Sequence, residues 1–393
     1  MITREALRVL ENNLTFTKGV NRQYDSAFAQ SGAKIGDTLN IRKPARYVGR
    51  SGATLSVEDH TETSVPLQLA NQFGVDVQFT SKELALSLDD FSSRFLKPAM
   101  AVVANKIDND GMALYKSVYN QVGTPGTTPS TLRTFLDAGA KMDFEACPRD
   151  GLRSVVIGPV AQASMVDALK GLFQSSNQIK DQYEEGTMGL AGGFKWSMDQ
   201  NIWNHTAGQQ GGTPLVNGAG QTGSTLSTKG WTASAAVRLK QGDIFTIAGV
   251  NAVNPQTRQS TGQLRQFVVT ADFSSDGSGN GSIAISPAIT TSGAFQTVDS
   301  APADGAAITV FAPASQATPT NLAYHRDAFC LGMADLPLPG GVDMASRISD
   351  NQLGVSVRMV RQYDIVNDRF PCRLDVLYGW KAIYPELACR IQG

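Results

Sequence analysis

Two stretches near the start of the chain alternate apolar and polar residues, and nothing else in the sequence constrains the fold as much. Residues 34–44 place Ile35, Leu39 and Ile41 on one face. Residues 65–79 do the same with Val65, Leu67 and Leu69, then Phe73, Val75, Val77 and Phe79. A period of two is the mark of a strand with one buried face. The joining stretch, residues 47–63, is polar and contains Gly and Ser. Together these predict one long two-stranded ribbon. Such a ribbon cannot bury both faces in its own domain, and a lone hairpin is marginal in water. Its apolar stripe is therefore expected to stay wet in a single molecule and to dry against a sister copy. The contact candidates are Ile35, Leu39, Ile41, Leu67 and Leu69, with Arg42, Lys43 and Arg46 beside them.

The flanking segments have their own signatures. Arg4 to Asn12 has helical spacing at Leu7 and Leu10, but so short a helix needs something to dock on. After the ribbon, Thr80-Ser-Lys-Glu83 has the pattern of a capping box and opens a helix with Leu84, Leu86, Leu88 and Phe91. A second helix is predicted from Pro98 to about Tyr119, with Val102, Val103, Ile107, Leu114, Tyr115 and Val118 inward. Residues 105–110 fall on its polar side, and Gly111 costs it about 1 kcal/mol relative to Ala.

Residues 120–205 read as mixed α/β. A helix starting at Thr128-Pro129 turns Leu132, Phe135, Leu136 and Met142 inward, residues 154–157 form a buried strand, and Gly158-Pro159 opens a helix holding Met165, Leu169 and Phe173. Residues 206–320 differ in kind. They hold five basic and five acidic residues, no Glu, His or Cys, and much Gly, Ser, Thr, Ala and Gln. Strands at 235–238, 243–248, 266–271, 282–286 and 306–311, set apart by turns, predict an all-β insertion, a barrel or a sandwich. Residues 321–393 return to the first style. Alternation at Val355, Val357 and Met359, then at Leu374, Val376, Tyr378 and Trp380, predicts strands that complete the sheet begun by 120–205.

Composition excludes several classes of function. The net charge of -1 draws the chain to neither nucleic acid nor anionic lipid. Residues 1–50 are an exception, with nine basic against four acidic residues, suited to an acidic partner, to DNA or to a solvated edge. No apolar run is long enough to span a membrane, and the N-terminal residues have no signal-peptide core, so a cytoplasmic origin is expected. Cys147, Cys330, Cys372 and Cys389 are widely spaced and expected to be reduced packing residues.

No constellation carries chemistry. His60, His205 and His325 lie in no zinc pattern. His325-Arg-Asp327 imitates a kinase triplet, but Gly332 stands where that motif needs Asn. Gly218-Ala-Gly-Gln-Thr-Gly223 matches a dinucleotide fingerprint by letter, yet no helix follows it. Asp276-Gly-Ser-Gly-Asn-Gly281 starts like a calcium loop, with Pro287 where the last carboxylate belongs, and is read as a tight turn. No catalytic, cofactor-binding or metal-binding residue is assigned, and the chain is expected to work by its surfaces rather than as an enzyme.

The order of parts, with five strings, resembles the major capsid (coat) proteins of short-tailed bacteriophages of the P22 type, whose architecture is the Hong Kong 97-type capsid fold. The strings are Arg8-Val-Leu-Glu-Asn-Asn-Leu14, Gly36-Asp-Thr-Leu-Asn-Ile-Arg-Lys-Pro44, Phe79-Thr-Ser-Lys-Glu-Leu-Ala-Leu-Ser-Leu-Asp89, Asn321-Leu-Ala-Tyr-His-Arg-Asp-Ala328, and the stretch from Tyr363 to Trp380. Gly242-Asp-Ile-Phe-Thr-Ile-Ala-Gly249 resembles the family's extra β-domain.

The resemblance implies an α+β subunit with an N-terminal arm (1–33), an extended loop lying across the adjacent subunit (34–79), a peripheral domain with its spine helix (80–127), an axial domain (128–205), a β-barrel-like insertion (206–320) and a return to the axial and peripheral domains (321–393). It implies a homo-oligomer of pentamers and hexamers that self-assembles into an icosahedral shell in the host cytoplasm. Its partners would be a separate scaffolding protein, a portal, and packaged double-stranded DNA in weak non-specific contact. No cofactor, no membrane and no built-in scaffold are implied. The alternative of the same fold is a bacterial encapsulin-like nanocompartment shell.

Overall fold

The structure, a computed structural model, describes residues 6–8, 10, 13–22, 38–50, 52–55, 57–58, 62–80, 97–169, 189–234, 236–350 and 355–393. Ile35, His60, Phe173 and the helix expected after Thr80 lie outside these residues. The chain forms two compact units. One joins residues 1–42, 64–112 and 329–383, and the other joins 43–63, 113–328 and 384–393.

In the first unit the ribbon is shorter than its pattern suggests. Strands β1 (Thr38–Lys43) and β2 (Thr63–Gln68) pair with each other. The chain then turns at Leu69-Ala70, and β3 (Asn71–Thr80) pairs not with β1 but with β22 (Arg369–Ala382), antiparallel, from Asn71 opposite Tyr378 to Thr80 opposite Arg369. β22 also pairs with β19 (Phe329–Ala334) and β21 (Val355–Arg361), and β20 (Met344–Asp350) completes the sheet. The final alternating segments thus belong to this sheet, not to the one begun by residues 120–205. Period-two alternation fixes a strand's faces but not its partner, which is why the sequence misassigned them.

Helix α1 (Lys97–Met112) ends earlier than expected, in a 3-10 turn at Ala113–Ser117. Val103 and Ile107 are fully buried, while Val102 is half exposed. Asp108, placed on the polar side by its letter, is instead 1% exposed and holds the N-terminal arm. Its Oδ2 accepts the Thr15 and Phe16 backbone N–H groups at 2.6 and 3.3 Å, and Oδ1 accepts the Thr17 N–H at 3.1 Å and hydroxyl at 2.6 Å. Gly111 also has a packing reason. A Cβ there would come within 2.7 Å of the Trp380 ring and 2.8 Å of Phe16. The glycine that weakens the helix lets the arm seat its aromatic side chain.

In the second unit a six-stranded sheet runs in the order β4 (Gln121–Val122), β23 (Ala388–Ile391), β18 (Asn321–His325), β5 (Arg153–Ile157), β7 (Phe194–Met198), β6 (Leu190–Ala191). Every residue of β5 and β18 is buried. Helices α2 (Leu132–Phe144) and α3 (Pro159–Leu169) supply Phe135, Met142 and Met165 to one core with Val155, Phe194, Cys389 and Ile391. Leu136, expected inward, is 46% exposed. One helical step rotates it about 100° from Phe135.

The insertion is a closed barrel. Its strands run β16 (Ile308–Val310), β12 (Ile244–Val253), β13 (Ser260–Val269), β15 (Gly281–Ile289), β10 (Gly223–Trp231), β9 (Gly212–Val216). The ends meet through a bridge between Leu215 and Ala307, and the Val216 N–H donates to the Ala306 carbonyl at 2.9 Å. Phe245 and Phe267 stack at 5.8 Å inside it, with Trp231 and Phe273 in the same core. Short pairs β11 (Val237–Leu239) with β14 (Phe273–Ser274), and β8 (Asn204–Thr206) with β17 (Ala317–Pro319), complete it. The 218–223 glycines sit in the β9–β10 turn, and Asp276 closes its own turn by accepting the Ser278 and Asn280 N–H groups.

Candidate functional site

The ribbon was expected to carry the working surface, and the structure moves that surface outward. Ile41, Leu67 and Leu69 are 2%, 0% and 8% exposed. They are already covered by their own chain and do not wait for a sister copy. The cause lies in the corner between β2 and β3. Gly379 has no side chain, so the backbone of Gln68 and Leu69 lies directly on β22, where a Cβ would meet the Gln68 carbonyl. Leu39 is half-buried, as are Phe73, Val75 and Val77 on β3. Exposed apolar side chains stand on the connecting segment: Tyr47 is 56% exposed, Val48 53%, Leu55 77% and Val57 81%.

Arg42 is exposed, whereas Lys43 and Arg46 are held within the second unit. The Lys43 ammonium lies 4.8 Å from the Tyr384 ring centre. Its pKa is lowered by burial, with Glu386 raising it and Arg46 lowering it. Arg46 donates to Glu386 at 3.1 Å and stands over the Phe295 ring at 5.7 Å. The tip is tied as well. Arg258 donates to the carbonyls of Tyr47 at 3.2 Å and Ala294 at 2.8 Å, and Glu58 accepts the Val48 and Gly49 N–H groups at 2.8 and 2.7 Å. Beside this segment a groove of about 870 Å³ is walled by aromatic residues and prolines, among them Tyr119, Phe295, Tyr384 and Pro255.

A second group of residues seats the barrel on the sheet of β4, β23, β18, β5, β7 and β6. Arg265 of β13 donates to Glu145 at 2.6 Å, both side chains being less than one-tenth exposed. Its guanidinium covers the Tyr119 ring at 4.7 Å, and burial raises the Tyr119 phenol well above its ordinary value. Gln121 and Gln266 bond reciprocally, backbone to side-chain amide, at 2.8 and 2.9 Å. His205 Nε2 lies 2.8 Å from Asp243, whose other oxygen accepts the Gly208 and Lys240 N–H groups. Arg390 donates to the Gly242 carbonyl at 2.6 Å, and burial brings its pKa down to about 10. Breaking a buried ion pair leaves a stranded charge, so these contacts lock the seat's geometry. Asp108, Glu145, Asp243, Arg265 and Arg390 carry no signal in the sequence, because a single charged letter does not say which face it is on.

His205 also bonds the Tyr115 hydroxyl, and His325 lies 3.2 Å from Asp150. Among the described residues no group of His, Cys, Asp and Glu is arranged to hold a metal ion, and no helix is long and apolar enough to cross a membrane. The four cysteines are buried, and burial pushes Cys389 up to about 12 and Cys147 and Cys372 to about 11.

The chain belongs to the P22 coat protein family: the family model described as "P22 coat protein - gene protein 5" matches residues 1–393. A major capsid protein of Acyrthosiphon pisum secondary endosymbiont phage 1 is 20% identical over 418 positions, spanning 100% of this chain and 97% of that protein. Among solved structures, one of Mycobacterium phage Che8 is 12% identical, covers 96% of this chain and 90% of its own, and has a TM-score of 0.46. The CUS-3 coat protein I-domain is 30% identical, covers 25% of this chain and 94% of its own, and has a TM-score of 0.19. The function is that of a major capsid protein, assembling in many copies into the shell of a tailed double-stranded DNA phage.

Proposed function

We propose that copies of this subunit join through the ribbon, whose tip reaches onto the adjacent copy. Assembly takes place in the host cytoplasm on a separate scaffolding protein, around a portal. The observation that carries this reading is the tip itself: Leu55 and Val57 are 77% and 81% exposed, whereas Ile41, Leu67 and Leu69 of the ribbon are buried. Exposed aliphatic side chains on a built element mark a contact surface. Arg42, exposed at the base, belongs to the same contact, while Ile41, Leu67 and Leu69 support the ribbon from inside. The net charge of -1 suits a wall that confines DNA without gripping it. Expression with and without the scaffolding protein, followed by electron microscopy, tests the reading. Regular closed shells are expected with the scaffold. Arg42→Glu should lower particle yield more than it lowers the melting temperature. An undiminished yield removes Arg42 from the interface, and a stable monomer under every condition overturns the reading.

A further inference from the structure

The groove of about 870 Å³ holds more positive charge than its aromatic and proline walls suggest. Lys43, Arg46, Arg258 and Arg265 line it, against the carboxylates of Glu145, Asp327 and Glu386. Two of the cations are matched. Arg265 bonds Glu145 at 2.6 Å, and Arg46 bonds Glu386 at 3.1 Å. Asp327 faces His325 at 3.7 Å. The other two cations are not matched. Among the described residues Arg258 donates to neutral carbonyls alone, those of Tyr47 and Ala294. Lys43 has the face of the Tyr384 ring, not a carboxylate, against its ammonium. In addition, the Nε–H groups of Arg258 and Arg265 are buried and meet no acceptor among the described residues. Arg265 is 4% exposed. A buried donor without an acceptor is costly and calls for a partner that the chain does not supply.

We propose that this groove is a docking site for an acidic peptide segment of a separate protein, whose carboxylates meet Lys43 and Arg258 and whose apolar side chains lie along the walls. The proposal goes beyond the shell reading and does not depend on how the copies join. Charge complementarity names the occupant. The two unmatched cations ask for anions, and Pro255, Pro287 and Pro385 beside them ask for apolar groups. A peptide that mixes the two kinds of side chain answers both. A run of phosphates does not, because Glu145, Asp327 and Glu386 stand in the same lining and repel dense negative charge. The cations are also held in place before a ligand arrives. Lys43, Arg46 and Arg265 lie over the rings of Tyr384, Phe295 and Tyr119 at 4.8, 5.7 and 4.7 Å, which fixes their heads without neutralising them. Arg258 keeps φ at +62°, a conformation that glycine adopts at less cost. Burial lowers the pKa of Lys43, and a carboxylate docked on it would act in the opposite sense.

The test is calorimetric titration of the full-length chain with a terminally blocked peptide of sequence Glu-Leu-Pro-Glu-Leu, and with the same peptide carrying Gln for Glu. The acidic peptide should bind about tenfold tighter or more than its neutral counterpart. Lys43→Gln and Arg258→Gln should each weaken it by about tenfold, and Lys43→Arg should keep it. Arg258 also ties the Tyr47 carbonyl, so Lys43→Gln is the variant that decides if Arg258→Gln lowers the melting temperature. Equal binding of the two peptides, or none at millimolar concentration, overturns the proposal. Undiminished binding by Lys43→Gln places the peptide elsewhere and overturns it too. Inorganic phosphate and an oligothymidylate form the last arm. If either binds more tightly than the acidic peptide and loses that advantage in Lys43→Gln, the groove is a phosphate site and the peptide assignment falls. None of these outcomes bears on whether the chain forms shells.

Discussion

The insertion barrel and the unit built from β3, α1 and β19–β22 reach the same end, a buried apolar core, by opposite routes. The barrel's strands all come from one stretch of about a hundred residues, and its core is filled by their own side chains. The other unit is assembled from three distant stretches. Gln72 bonds Asp375 across 303 residues, and the arm at Thr15 reaches Asp108 across 93. Closing long loops costs entropy before any contact repays it, so the two regions should differ in autonomy more than in final packing.

The sharpest way to break the comparison is to cut the regions out. Residues 206–320 expressed alone should give dispersed amide NMR signals, and residues 329–383 alone should give a collapsed spectrum lacking them. A random-coil spectrum from the barrel would erase the distinction. Next, Phe267→Ala removes a fully buried ring from the barrel core and should cost about 3–5 kcal/mol by urea denaturation of the excised barrel. A loss far below that would mean the barrel core is not what holds it. Asp108→Ala strands buried backbone donors of the arm and should cost the whole chain about 3 kcal/mol. Limited trypsin digestion should then cut faster at Lys18 than in the parent. Gly111→Ala forces a methyl group against Trp380 and Phe16 and should cost about 1–3 kcal/mol, with no effect on the barrel.

The smallest effect concerns acid. Burial alone would raise the Asp299 pKa, but hydrogen bonds from Asn251, Ser260 and Ser300 bring it below the usual carboxylate value. A depressed folded pKa means stability that is present above the unfolded value and lost as pH falls through the folded one. Asp299→Asn should therefore lower the barrel's stability slightly at neutral pH and flatten the acid limb of its pH–stability curve, the two proteins converging in acid. An unchanged acid limb would show that the carboxylate contributes nothing to the barrel.

The same contrast explains what the sequence made legible. The barrel strands, the alternation of β1, β2 and β3, and the apolar face of α1 are local patterns, and all are present. The pairing of β3 with β22 is not local. Alternation in residues 71–79 looks the same whether the partner lies in the ribbon or 300 residues away. The corner at Leu69-Ala70 depends on Gly379, whose role appears only when β22 lies beneath it. Asp108 and Arg265 are charged letters on otherwise polar faces, and only tertiary burial separates them from solvated neighbours. The tip at Leu55 and Val57 was passed over as a polar connection because two aliphatics among Ser, Thr and Gly make no periodic signal.

The fourteen residues of β22 have a mechanical meaning. A strand bonded along both edges and pulled lengthwise shares the strain among its rungs, because they must all slide together before any one parts. A hairpin pulled open at its mouth gives way one rung at a time. Pulled along its length, β22 would therefore be softened by a single weakened rung without being severed.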